Sequence, residues 1–110
     1  MKIIIIGTGN VATSLHAAFA KKGIDAPMVY SRELTNIPEV DVYIYAVTDA
    51  ALSEVVSTVH APTRALHVHT SGTIPVSVFG ADKPHCGIMY PFQTFSKAQP
   101  LDDWSEVPLI

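Results

Sequence analysis

The 110-residue sequence predicts an α/β fold: an open, mostly parallel sheet with helices on both faces, giving three layers. Two observations carry that class. Apolar runs without alternation recur along the chain, the pattern of strands buried on both faces, and stretches at helical spacing separate most of them. In addition, each strand's carboxyl end runs into small or polar residues suited to binding, while the amino ends show no such enrichment.

The elements follow in order. Lys2 and four consecutive isoleucines give a first strand over residues 2–6, and Gly7-Thr8-Gly9 turns out of it. From Asn10 the period changes: Val11, Leu15, Ala18 and Phe19 share one helical face. Lys21 and Lys22 then complement the last carbonyls, and Gly23 ends the helix. Residues 26–30 form a short second strand. After a polar connection with Asn36 and Pro38, residues 40–47 form a third, rich in valine, isoleucine and tyrosine. Thr48 or Asp49 caps a second helix, whose stripe is Leu52, Val55, Val56 and Val59, and His60-Ala61-Pro62 closes it. Residues 65–69 are a fourth strand, residues 73–79 a short helical turn, and residues 86–90 a fifth strand.

Composition narrows the classes. With 48% hydrophobic and 15% charged residues, the chain can fill a single core, and 110 residues make one domain rather than two. The net charge of −3 and seven scattered basic residues argue against a nucleic-acid surface. The apolar run Ile3 to Ile6 is too short for a membrane span or a signal segment. The one cysteine, Cys86, excludes an internal disulfide, and a reduced cytoplasmic setting is expected. Residues 106–110 read as a strand that starts and stops at the terminus, so either a longer protein or a closing edge strand is expected.

Gly7-Thr8-Gly9-Asn10-Val11-Ala12 fits G-x-G-x-x-A, and it stands between a buried strand and an amphipathic helix, the context that gives this fingerprint its meaning. Gly7 permits the sharp turn, Gly9 lets a pyrophosphate approach the backbone, and Ala12 lets helix and strand pack closely. The anion then rests on the free N–H groups of the helix start. Gly7, Thr8, Gly9, Asn10 and Val11 are therefore the candidate pyrophosphate cradle of a Rossmann-like domain. The second strand ends Val29-Tyr30-Ser31-Arg32, with no acid to hold a ribose 2′-hydroxyl until Glu33. Ser31 and Arg32 suit a 2′-phosphate, which favours NADP(H) over NAD(H).

Other residue types are candidates for chemistry. His67 and His69, two apart on one strand, face the same side; without a third ligand no metal is expected, and core or hydrogen-bonded histidines account for them better. His69 lies at the strand's carboxyl end beside Ser71, and these two are the candidates for contacting the reacting centre. For Ser71 a helix-capping role competes on equal terms. Hydrolysis is disfavoured because the G-x-S-x-G turn is absent. Cys86 reads as a small buried hydrophobe, and residues 90–95 as an apolar lid or as core packing. His16, His60 and His85 carry no site signal.

Residues 3–12 with Leu15 and Phe19 resemble the opening of pyrroline-5-carboxylate reductases and deazaflavin-dependent NADP reductases, within the 6-phosphogluconate dehydrogenase-like group. His67-Val68-His69-Thr70-Ser71-Gly72-Thr73 and residues 87–96 look like a sister family of two-domain proteins with a Rossmann-like first half and an uncharacterised helical second half. The resemblance implies an NADP-dependent oxidoreductase, with Gly7 to Val11 on the pyrophosphate, Ser31 and Arg32 on the 2′-phosphate, and Val47 and Thr48 near the nicotinamide ribose. It also implies that the helical substrate and dimerisation domain is absent from this sequence. Residues 1–110 are then expected to hold the cofactor, to pair as a possible homodimer, and not to complete turnover alone. The expected reaction of the longer protein is hydride transfer to or from a small carbonyl or imine. A non-catalytic dinucleotide sensor or assembly module is the alternative from another class.

Overall fold

The computed structural model describes residues 2–32, 34 and 37–89. Five parallel strands form one sheet: β1 (Ile3–Ile6), β2 (Met28–Val29), β3 (Val42–Tyr45), β4 (Leu66–His69) and β5 (Cys86–Ile88), in the spatial order β2-β1-β3-β4-β5. Every pairing is parallel, in keeping with strands that read as apolar runs without alternation. Because β2 and β3 lie on opposite sides of β1, the strand order switches between β1 and β3. That is where open α/β sheets leave a crevice outside the carboxyl ends.

Helix α1 (Asn10–Lys21) connects β1 to β2, and α2 (Asp49–Thr58) connects β3 to β4. Period-2 alternation of the strands divides the core between the two helices. Ile3, Ile5 and Ile44 pack with Ala12, Leu15 and Phe19 of α1. Ile4, Ile6, Tyr43 and Tyr45 pack with Leu52, Val55 and Val56 of α2.

The strands are shorter than the apolar runs that announce them. Pro27, lacking an N–H, only accepts from Ile5, so the edge strand β2 shrinks to two residues. The helical turn expected over residues 73–79 becomes a 3₁₀ turn at Val76–Phe79, with Pro75 as its cap. The strand expected over residues 106–110, the lid at residues 90–95, and Asn36 lie outside the described residues. None of the described helices is long and apolar enough to cross a membrane.

Candidate functional site

The carboxyl ends of β1 to β4 converge on one rim of the sheet, beginning with the glycine turn. Gly7 has φ +129°, and a Cβ there would drive into the Ala46 carbonyl. Its N–H donates to the Val29 carbonyl while Ala46 N–H donates to the Ile6 carbonyl, both at 2.8 Å. The turn is therefore wedged between the strands that flank the switch point, and both backbone conformation and space demand glycine there. Gly9 differs. Among the described residues a Cβ on it would meet nothing within 4 Å, so its Cα faces space that a ligand could occupy.

Gly9 is also the N-cap of α1. No described side chain caps the helix, and its first turn holds no acid. The first intrahelical bond runs from Thr13 N–H to the Gly9 carbonyl (3.0 Å), so the amides of Asn10, Val11 and Ala12 precede the hydrogen-bonded ladder. Thr8, Gly9 and Asn10 are exposed, Val11 is half-buried, and Ala12 is buried against the sheet. Three outward amides and the positive end of a twelve-residue helix suit an anion. A cradle of this shape fits a pyrophosphate.

On the β2 side, Arg32 is exposed and its guanidinium stands 5.9 Å above the Tyr30 ring, while Ser31 is half-buried. Ser31 and Arg32 form one wall of a groove of about 370 Å³ whose other wall is the Ala51, Glu54, Val55 and Thr58 side of α2.

At the end of β3, Val47 is half-buried and Thr48 is exposed. Thr48 is the N-cap of α2, but its side chain makes no capping bond. The first turn instead holds Asp49, whose Oδ2 accepts a hydrogen bond from the Thr73 hydroxyl (2.8 Å). That bond is the main reason its carboxyl titrates below the usual carboxylate range; Ser71 adds to it.

At the end of β4 several polar groups are linked by hydrogen bonds. Ser71 Oγ accepts from the N–H groups of Thr73 (3.1 Å) and Ile74 (3.2 Å) and lies 3.2 Å from Thr73 Oγ1. Thr73 directs its single hydroxyl hydrogen to the Asp49 carboxylate, which leaves the Ser71 hydrogen to reach Thr73 Oγ1 or Asp49 itself. The Ser71 hydroxyl therefore caps this turn with both lone pairs and its hydrogen engaged. His69 is fully buried, and its Nδ1 accepts the Ser71 N–H (3.1 Å), which assigns the ring hydrogen to Nε2. Nε2 is buried with no hydrogen-bond partner among the described residues. Burial pulls the His69 pKa down, against the Pro75 and Ile74 backbones and the Asp49 charge, which push it up.

His67 points to the same face but into the core. It stacks on Tyr43 (5.0 Å between ring centroids, 9° between planes), and its Nδ1 lies 2.8 Å from the Tyr45 hydroxyl. Burial pushes the Tyr45 pKa up and takes that of His67 down to about 4, so the two groups share this hydrogen bond as neutral partners. This is a satisfied core histidine, distant in role from the rim.

Thus the rim gathers Gly7 to Val11, Val47, Thr48, His69 and Ser71, with Ser31 and Arg32 at its β2 end. Two participants carried no sequence signal: Asp49 as an acceptor for Thr73, and α2 as the second wall of the Ser31–Arg32 groove.

No family model and no curated relative matches the chain. Among solved structures, it is similar to a Bacteroides fragilis protein described as a "putative NADP oxidoreductase", at 29% identity and a TM-score of 0.77. The likeness covers 98% of this chain and 49% of that one, so the chain spans about half the length of this neighbour. The shared architecture is a Rossmann-like parallel sheet.

Proposed function

We propose that this chain is the NADP(H)-binding, Rossmann-like half of an oxidoreductase that transfers a hydride between the nicotinamide and a small carbonyl or imine. The observation that carries this reading is the pair of glycines at the switch point: one wedged against Ala46, the other opening an uncapped, acid-free helix terminus to an anion. The solved neighbour's description as an NADP oxidoreductase and its 29% identity point the same way. So does the resemblance of residues 3–12 to the 6-phosphogluconate dehydrogenase-like group.

In this reading Gly7, Thr8, Gly9, Asn10 and Val11 hold the pyrophosphate, and Ser31 and Arg32 hold the adenosine 2′-phosphate in the groove against α2. Val47 and Thr48 then border the nicotinamide ribose. The cofactor supplies the hydride chemistry, while the protein supplies binding and orientation. His69 and Ser71 stand nearest the reacting end, and their engaged hydrogen bonds give them the task of shaping it. Positioning of both reactants and exclusion of water need more walls than one rim offers. Turnover therefore belongs to a longer protein of about the neighbour's length, and the lone cysteine accords with a cytoplasmic setting.

Calorimetric titration with NADPH and NADH tests the reading. Wild type binds NADPH the more tightly, and Arg32→Ala weakens NADPH by about tenfold while sparing NADH, the loss of one charged hydrogen-bonding group. Equal binding of both nucleotides by wild type and variant would remove NADP(H) selectivity from this site.

A further inference from the structure

The hydrogen bonds at the end of β4 form a chain that crosses between elements. Ser71 Oγ lies 3.2 Å from Thr73 Oγ1, Thr73 donates to Asp49, and the chain stops at a carboxylate that can only accept. One end is anchored in β4, because the Ser71 N–H bonds the buried His69. The other end is the first residue of α2. Between them Ser71 Oγ gathers the Thr73 and Ile74 amides, so the whole turn after β4 is tied to the start of α2.

Helix capping alone does not explain this arrangement. A self-contained cap at α2 would bond the helix's own amides, whereas Asp49 reaches a residue 24 positions away. Beneath the turn lies the His69 Nε2, a buried donor with no partner among the described residues. The turn is thus held from two elements at once, from β4 through His69 and from α2 through Asp49.

The position identifies the ligand part. In the order β2-β1-β3-β4, β2 and β4 are three strand intervals apart, about 14 Å. A dinucleotide with its adenosine at Ser31 and Arg32 and its pyrophosphate on α1 extends in that direction, and its nicotinamide end meets the ends of β3 and β4.

We infer that Asp49 is a positioning residue for the nicotinamide end of the cofactor, acting through Thr73 and Ser71 to set the turn after β4. The inference rests on the dinucleotide reading above and deepens it. Asp49 is not among the residues that line the Ser31–Arg32 groove, so its removal separates the two ends of the ligand.

The test compares NADPH with adenosine 2′,5′-bisphosphate, which carries the adenosine end and lacks the nicotinamide, by calorimetry on the full chain. Asp49→Ala weakens NADPH about tenfold and leaves the bisphosphate unchanged. Asp49→Asn, which can still accept from Thr73, restores most of the loss. Amide hydrogen exchange of Ile74 without ligand rises in the alanine variant and not in the asparagine one, showing that the turn itself has loosened. Equal weakening of both ligands, or of neither, overturns the positioning role while leaving the dinucleotide reading intact. Failure of wild type to bind either ligand overturns that reading and the role together.

Discussion

The two strand–helix–strand units of this sheet share a topology and differ in chemistry. In the first, β1–α1–β2, the face under the helix is aliphatic apart from Phe19, and the helix begins with a bare glycine and no acid. In the second, β3–α2–β4, the face carries Tyr43, Tyr45, His67, His69 and Phe79, and the helix begins with an acid already engaged by a hydroxyl. Both helices offer the positive end of a dipole to the same rim. The first turn of α1 holds no acid, whereas the first turn of α2 carries the negative charge of Asp49, bonded to Thr73. The difference is what favours the first unit for the proposed pyrophosphate and the second for fixing geometry.

The comparison breaks most severely at Gly7. Alanine there meets the Ala46 carbonyl and must hold a backbone conformation that L-residues rarely adopt. Gly7→Ala is expected to cost about 3 kcal/mol of stability in urea unfolding, combining strain with a forced displacement of β3. Dinucleotide binding is lost with it. The same substitution at Gly9, where a Cβ meets open space, leaves stability within about 1 kcal/mol of wild type.

Gly9→Asp sharpens the contrast, because it gives α1 the acid that α2 already has. An N-cap aspartate is favourable for a helix, so unfolding stability stays level or rises by a few tenths of a kcal/mol. NADPH affinity falls by about a hundredfold, since the new carboxylate both repels the pyrophosphate and takes the amides meant for it. Stability and binding moving in opposite directions is the outcome that identifies this terminus as a ligand site. Parallel loss of both would mean that the turn is structural only.

Much of this contrast is legible in the sequence of the first unit and little in that of the second. Four isoleucines, two glycines and helical spacing are local signals, and they correctly place β1, the turn and α1 within a residue or so. Strand ends are less legible because pairing, not propensity, sets them. Val42–Tyr45 is shorter than residues 40–47 because the partner strand β1 is only four residues long. The bonds that distinguish the second unit join residues 22 and 24 positions apart, Tyr45 to His67 and Thr73 to Asp49. No periodicity reports such pairs. His69 and Ser71 were noticeable by type and place, yet the interlocking of their hydrogen bonds appears only when the turn after β4 is seen closed.

A last contrast separates the two faces by pH. The His67 pKa falls from 6.5 to about 4 on folding, so between those values the unfolded chain binds the proton that the folded core refuses. Stability is then fully present above pH 6.5 and declines as pH falls toward 4, by up to roughly 1.4 kcal/mol per unit. His69, lowered in the same direction by burial, adds to the slope. The aliphatic face under α1 has no titrating group of this kind among its clustered residues. Replacing the hydrogen-bonded pair together, Tyr45→Phe with His67→Leu, removes both polar partners at once and avoids stranding either. Urea unfolding of that double variant across pH 7 to 4.5 is expected to show a slope shallower than wild type. An unchanged slope would assign the acid sensitivity to His69 and the rim instead.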